Sequence, residues 1–109
     1  MEAPFVPGLN MDTWHLYLVR CANGSLYTGI TTDIARRFEQ HELGQGAKFL
    51  RGRGPLELVF QSPVGARGDA LRVEHRVKSL TRKEKLDLID GGFAIEDLKG
   101  IQAPGSDSE

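Results

Sequence analysis

The stretch SLYTGITTDIARRFEQH, residues 25–41, contains a strand pattern that leads directly into a helix pattern. Residues 25–30 are rich in aromatic and aliphatic side chains, which is typical of a β-strand. From Asp33 onward the apolar residues recur at helical spacing, Thr31 and Thr32 offer N-cap oxygens, and Gly44 is placed to end the helix. These residues predict a tight strand-to-helix junction, followed by a helix that carries two adjacent arginines and a histidine.

The rest of the chain extends this pattern in both directions. Upstream, WHLYLVRC (14–21) is a second strand pattern, and Asn23-Gly24 between the two strands is a strong hairpin signal. Downstream we expect a glycine-rich basic loop (44–54), a third strand (56–62) ended by Pro63, and an amphipathic helix (66–80). A short helix with a Thr81–Glu84 capping box (81–89) and a further helical turn (93–101) follow. The order β-β-α-β-α-α predicts a small mixed α/β domain, with a three-stranded sheet covered by helices.

Composition limits the class of protein to which the chain can belong. At 109 residues it has the length of one domain, and neither a membrane-spanning apolar run nor a secretory signal pattern is present, which predicts a cytoplasmic protein. Cys21 is the only cysteine, so an internal disulfide and a cysteine-rich zinc site are excluded. The net charge is −1, but residues 20–85 carry thirteen Lys and Arg against seven Asp and Glu. Such a basic body can attract phosphates through one face, or it can be a solvated mixed surface.

The two adjacent arginines point in different directions on the predicted helix. Successive residues turn by about 100°. Arg37 and His41 therefore share or border the face of Ile34 and Phe38 that must pack on the sheet, whereas Arg36 points to water. A guanidinium and an imidazole on a buried face are costly unless they are paired. We expect Arg37 and His41 to line a polar cleft; the alternative is that Arg37 passes the helix edge to pair with a surface acid.

One acidic residue of the second long helix has a comparable position. Glu74 lies at the margin of the apolar stripe that contains Ala70 and Val77. An acid at that margin can reach into a cleft as a metal ligand, and it can equally be the ion-pair partner of Arg37. The helical wheel leaves both roles open.

These residues together resemble the signature of the GIY-YIG nuclease domain. Tyr27-Thr28-Gly29 corresponds to the YIG element, and His15-Leu16-Tyr17, which retains only the tyrosine, corresponds to the GIY element upstream. Arg37 follows Tyr27 by ten residues, and Glu74 lies on the next long helix. The run from Tyr27 to Lys48 is similar to the small stand-alone bacterial members in its Arg36-Arg37, Gln40-His41 and Gly46-Ala47-Lys48 elements.

The resemblance implies a fold and a chemistry. The fold is a three-stranded antiparallel sheet flanked by helices, and the chemistry is cleavage of a phosphodiester in DNA with a single Mg²⁺ or Mn²⁺. A tyrosine of such a domain deprotonates or orients the attacking water, and Tyr17 and Tyr27 match the two signature tyrosines. Arg37 matches the arginine that steadies charge on the phosphate, and Glu74 matches the metal ligand. His41 matches a histidine that can help to deprotonate the tyrosine.

Further residues are expected to support this site. Gly29 would let the backbone approach the site closely, or it is only a strand-end glycine. The basic residues around Phe49 in the loop 44–54 are expected to contact phosphate, unless that loop is flexible and merely solvated. With the exposed arginine of the first helix they form the expected nucleic-acid-binding set of Lys48, Arg51, Arg53 and Arg36.

The resemblance covers residues 12–90, which are the expected domain. Residues 1–11 would be an N-terminal extension, and 91–109 a C-terminal extension with a disordered acidic tail. The expected function is a metal-dependent DNA endonuclease, whose substrate can be branched or single-stranded DNA and which has no membrane partner. The sequence leaves partner proteins and the oligomeric state open. The alternatives are a catalytically weak nucleic-acid-binding module and a partner-binding domain on the same fold.

A shared active site also predicts the register of the first hairpin. A two-residue turn at Asn23-Gly24 would place Tyr17 and Tyr27 on opposite faces of the sheet, because side chains alternate along a strand. A three-residue loop, 22–24, with Gly24 in the left-handed conformation, would instead put Val19 opposite Tyr27. We therefore predict the three-residue loop, with both phenols opening into one cleft.

Overall fold

The computed structural model describes residues 13–92 and 94–100. Within them the chain forms a three-stranded antiparallel sheet and four α-helices. The predicted mixed α/β architecture is confirmed, while the expected N-terminal extension and acidic tail lie outside the described residues. In chain order the elements are β1 (Trp14–Arg20), β2 (Leu26–Thr31), α1 (Ile34–Glu42), a 3-10 turn (Lys48–Leu50), β3 (Glu57–Gly65), α2 (Arg67–Lys78), α3 (Arg82–Ile89) and α4 (Ile95–Gly100).

The connection between β1 and β2 is the predicted three-residue loop. The Cys21 N–H donates to the Ser25 carbonyl at 2.9 Å, which closes the loop around residues 22–24. Gly24 has a φ of +89°, a conformation that glycine adopts without steric cost. The Asn23 side chain accepts a hydrogen bond from the Ser25 N–H at 3.0 Å and holds the turn. The hairpin is therefore determined by local side-chain and backbone bonds.

This loop sets the register of the hairpin. Val19 lies opposite Tyr27, and Tyr17 lies opposite Gly29. Because side chains alternate along a strand, Tyr17 and Tyr27 lie on the same face of the sheet, as predicted. β1 is the central strand, with β2 on one side and β3 on the other.

Strand β3 is longer than predicted, because Pro63 does not end it. β3 is an edge strand, and a proline at a sheet edge or a bulge removes no necessary N–H donor. The register shifts at this point, since His15 lies opposite Pro63 and Trp14 lies opposite Gly65. Val64, the residue skipped by the shift, is 6% exposed and packs in the core.

The ends of α1 and α3 follow capping rules, with one correction. Asp33, not a threonine, is the N-cap of α1, and its carboxylate accepts the Arg36 N–H at 3.1 Å. A carboxylate at this position also complements the helix dipole. Gly44 follows the end of α1 with a φ of +77°, and the Thr81–Glu84 capping box begins α3, both as predicted.

The sheet separates two buried clusters of different composition. One cluster forms where the apolar face of the sheet packs against α2, α3 and α4. It comprises the sheet residues Leu16, Leu18 and Val64 and the helix residues Ala70, Val73, Val77, Leu88, Ile95 and Leu98. Ala66, the first residue of the helix expected over 66–80, is the exposed N-cap of α2 and does not pack in the core. The site face comprises buried Tyr17, Val19, Cys21 and Leu50, with Tyr27, Ile34, Phe38, Ala47, Leu56 and Leu58 packed against them. Across the described ranges, each helix is too short or too polar to cross a membrane.

Candidate active site

The Tyr17 hydroxyl is the centre of the site face. Tyr17 on β1 and His41 on α1 are each 2% exposed, and Tyr17 Oη lies 2.7 Å from His41 Nε2. The ring of Tyr27, from β2, has its centroid 6.3 Å from that of Tyr17 and 5.6 Å from that of His41. The structure thus brings together three of the predicted site residues from three separate elements.

Gly29 allows the Tyr17 ring to lie across β2. A methyl group built on Gly29 would be 2.5 Å from Tyr17 Oη, which is closer than real carbon atoms approach. The residue opposite Tyr17 in the register is therefore restricted to glycine unless the phenol moves. The close approach expected at Gly29 exists, and the group that approaches the backbone is the tyrosine side chain.

The segment after α1 holds His41 from the other side. The Ala47 N–H donates to His41 Nδ1 at 3.2 Å. A Cβ atom on Gly46 would overlap this same ring nitrogen, so a glycine is needed for the backbone to come this close. Both ring nitrogens of the buried imidazole consequently have a hydrogen-bond partner.

The basic loop 44–54 packs against the site. Leu50 is 2% exposed within the site face, and the Phe49 ring stacks on Tyr27 with a centroid distance of 6.0 Å. The Arg53 guanidinium lies over the Phe49 ring at 4.4 Å, and its Nε donates to the Phe49 carbonyl. These contacts give the loop a defined path beside the tyrosines. Its basic side chains, Lys48, Arg51 and Arg53, are exposed.

The two arginines of α1 lie where the helical wheel predicts. Arg36 is exposed, whereas Arg37 is half-buried and donates from Nη1 to Gln40 Oε1 at 3.1 Å. The guanidinium of Arg37 also lowers the pKa of His41 and opposes the rise in the pKa of Tyr17. Arg37 therefore faces the site, and Arg36 faces solvent.

The environment of the site keeps the Tyr17 hydroxyl and the His41 imidazole uncharged. Burial raises the pKa of Tyr17 to about 12, the neighbouring Tyr27 and Glu74 add to the rise, and Arg37 opposes it. Burial, and after it the charge of Arg37, lowers the pKa of His41 below its ordinary value. At neutral pH the site therefore contains the Tyr17 phenol hydrogen-bonded to the neutral imidazole of His41.

Glu74 is the predicted metal ligand, and its charge contributes to the raised pKa of Tyr17. Its side chain is 18% exposed, and Oε2 lies 3.3 Å from Lys78 Nζ. Among the described residues its ion-pair partner is therefore Lys78 rather than Arg37. No group of three His, Cys, Asp or Glu side chains suited to a metal occurs in the described part of the chain. Mg²⁺ is commonly held by one or two carboxylates together with water and substrate phosphate, so Glu74 suits an ion completed by those ligands.

Sequence reasoning missed the residues that hold the site residues in place. Gln40 anchors Arg37, and the Ala47 N–H anchors His41. The signal available for Ala47 was indirect: a buried histidine needs partners for both nitrogens, and Gly46-Ala47 follows it closely. The stacking of Phe49 on Tyr27 had no comparable signal.

Comparisons with known proteins identify a family and several relatives of this chain. The family model described as the GIY-YIG catalytic domain matches residues 13–87. A UPF0213 protein of Cronobacter sakazakii is 56% identical over 89 residues, which are 82% of this chain and 94% of that protein. The UPF0213 protein YhbQ of Escherichia coli is 54% identical over 95 residues, which are 86% of this chain and 95% of that protein.

Solved structures of similar chains are also known. A solution NMR structure of a UPF0213 protein from Bacillus halodurans is 38% identical, covers 81% of this chain and 94% of that chain, and has a TM-score of 0.49. On the match to the family model and the identity to these relatives, the chain belongs to the GIY-YIG family.

Proposed function

We propose that this chain is an endonuclease that hydrolyses phosphodiester bonds in DNA with one divalent metal ion, Mg²⁺ or Mn²⁺. The observation that carries the proposal is that Tyr17, Tyr27 and His41 meet on one face of the sheet beside the half-buried Arg37, with Tyr17 Oη 2.7 Å from His41 Nε2. A tyrosine with only a packing role does not need a buried imidazole and a guanidinium near it, because burying polar and charged groups costs free energy. Family membership supports nuclease-type chemistry.

Each of these side chains has a chemical role in the proposal. Arg37, anchored by Gln40, presents a guanidinium that can bind two oxygens of one phosphate. Glu74 would hold the metal ion, which supplies positive charge to the phosphate oxygens and the leaving group. With a pKa of about 12, Tyr17 is a phenol at neutral pH. It therefore orients the attacking water by hydrogen bonding, together with the half-buried Tyr27.

The exposed basic residues of the loop 44–54 would bind the phosphates of the substrate. The loop 44–54 contacts the site through Phe49, so phosphates bound by Lys48, Arg51 and Arg53 would flank the scissile one. Replacing all three basic residues is expected to reduce the slope of log affinity against log salt by up to about three units. An unchanged slope would show that the loop makes no phosphate contact.

The test is cleavage of matched DNA substrates. The full chain is incubated with branched, single-stranded and duplex DNA of one sequence, with Mg²⁺, with Mn²⁺ and with a chelator. We expect products only with metal, and none from Glu74→Ala. Lys78→Ala, which removes only the ion-pair partner of Glu74, is the matched control and should retain cleavage. Products that persist under chelation or in Glu74→Ala would refute the proposal.

The exposed basic side chains of the loop 44–54 also suit a second candidate, a nucleic-acid-binding module with weak catalysis. Such a module would bind DNA with a steep salt dependence and leave it intact under all metal conditions. The absence of salt-dependent DNA binding would exclude both functions and indicate a domain that binds a partner protein.

A further inference from the structure

The two ring nitrogens of His41 have partners of different kinds. Nδ1 lies 3.2 Å from the backbone nitrogen of Ala47, and Nε2 lies 2.7 Å from Tyr17 Oη. A hydroxyl can donate or accept a hydrogen bond, whereas a backbone N–H can only donate. Nδ1 must therefore be the acceptor and carry no proton.

This assignment determines the protonation of the whole ring. A neutral imidazole without a proton on Nδ1 carries its single proton on Nε2. An imidazolium would point a second N–H at the Ala47 N–H, and burial at 2% exposure opposes its charge. Turning the ring over would place carbon atoms against both partners. Only the neutral Nε2–H form satisfies both contacts.

We propose that the backbone N–H of Ala47 fixes His41 in the Nε2-protonated form, so that His41 donates a hydrogen bond to Tyr17 Oη and does not take the Tyr17 proton. The resemblance to the family implies the opposite direction, in which the histidine helps to deprotonate the tyrosine. His41 is then a positioning residue that holds the Tyr17 oxygen and polarises the phenol. The phenolic proton remains available to a water or a phosphate oxygen in the cleft.

The proposal also links the basic loop to the tyrosine. Ala47 directly precedes the 3-10 turn that carries Phe49 and Leu50, and Gly46 permits the close contact with His41. A single backbone segment therefore orients the imidazole and places the basic side chains beside it. The protonation of His41 is a property of the folded chain, whereas its consequence for cleavage rests on the proposed function. Two separate measurements test the two parts.

The first measurement is long-range proton–nitrogen NMR on the ¹⁵N-labelled full chain at neutral pH. The chain has three histidines, and the signals of His41 are those lost in His41→Gln. We expect a protonated, pyrrole-type Nε2 and an unprotonated, pyridine-type Nδ1. A proton on Nδ1, or on both nitrogens, would overturn the proposal whether or not the chain cleaves DNA.

The second measurement compares cleavage by two variants of His41. Glutamine can place an amide N–H near the position of Nε2 but is not a base, and leucine offers neither donor nor base. If His41 acts as a donor, His41→Gln stays within about tenfold of the unmodified chain, while His41→Leu loses about 10²-fold. Equal activities of the two variants would refute the donor role.

Folding is checked for both variants by the dispersion of their NMR spectra. If His41→Leu does not fold, His41→Gln alone decides, since a folded but inactive His41→Gln contradicts a donor role. If the unmodified chain cleaves no DNA, the proposed function fails and the NMR result still decides the protonation of His41.

Discussion

The two faces of the sheet are built from alternate residues of the same strand, yet their chemistry differs. On the apolar face, Leu16 and Leu18 are fully buried against the aliphatic side chains of α2, α3 and α4. On the site face, Tyr17 is almost as completely buried, but its hydroxyl is bonded to His41 and lies within the influence of Arg37 and Glu74.

The difference shows how one small sheet combines stability with a polar site. The apolar face stabilises the fold because apolar surface is removed from water, at roughly 25 cal/mol per Å² of buried apolar area. On the site face, buried polar groups are tolerated where they have hydrogen-bond partners: the Tyr17 hydroxyl and the Arg37 guanidinium each have one, and the His41 ring has two. Substitutions on the two faces should therefore separate activity from stability.

The largest separation is expected at Arg37. Arg37→Ala removes the half-buried guanidinium that faces the site, and we expect cleavage to fall by about 10²–10³-fold. The free energy of unfolding should change little, because the side chain is only half-buried and its hydrogen-bond partner Gln40 can reach water. Single-turnover cleavage rates and urea unfolding measure the two effects.

Arg36→Ala is the matched control on the same helix. Its side chain is exposed, so we expect only a small loss through weaker DNA binding and no change in the cleavage step. Equal losses in Arg36→Ala and Arg37→Ala would contradict the assignment of Arg37 to the site.

The apolar face should respond in the opposite way. Leu18→Ala creates a cavity beneath α2 at a residue with no exposure, and we expect a loss of about 2–5 kcal/mol in the free energy of unfolding. At a temperature where the variant remains folded, its cleavage rate per folded molecule should equal that of the unmodified chain. A folded Leu18→Ala that cleaves slowly would show that the two faces are not separable.

The sequence predicted the parts of this arrangement that depend on local periodicity. The loop at Asn23-Gly24, the register of Val19 with Tyr27 and the opposite directions of Arg36 and Arg37 follow from strand alternation, helix rotation and glycine conformation. Proximity of the two tyrosines followed from the register alone.

The contacts made by the loop 44–54 could not be predicted in this way. Its path depends on the burial of Leu50 and the stacking of Phe49 on Tyr27, and neither contact has a sequence period. The bond from Ala47 to His41 depends on that path. Likewise, the extension of β3 past Pro63 depends on β3 being an edge strand, which is a property of the sheet order.

A smaller effect is expected at Gly29, where the Tyr17 hydroxyl occupies the space that a side chain would fill. Gly29→Ala forces a methyl group against the Tyr17 hydroxyl, so the phenol must shift, at a cost of about 1–3 kcal/mol in stability together with reduced cleavage. Gly68→Ala is the control, since a Cβ there meets nothing within 4 Å, and in helix α2 it should stabilise the chain by up to about 1 kcal/mol. If Gly29→Ala is as harmless as Gly68→Ala, the packing of Tyr17 does not restrict that position.

The smallest expected effect is a dependence of stability on pH that belongs to the site face alone. The pKa of His41 is lowered by burial and by Arg37, so the folded chain binds a proton at His41 less readily than the unfolded chain does. The resulting stabilisation is fully present above the ordinary histidine pKa of 6.5 and is lost as pH falls through the lower folded value. Urea unfolding of the unmodified chain and His41→Gln should therefore show a stability difference that is constant above this pKa and shrinks in acid. His15, His75 and the other ionisable side chains are common to both proteins, so their contributions cancel in the difference. A difference that grows as the pH falls would mean that the site stabilises the imidazolium, and the neutral His41 assigned to this face would be wrong.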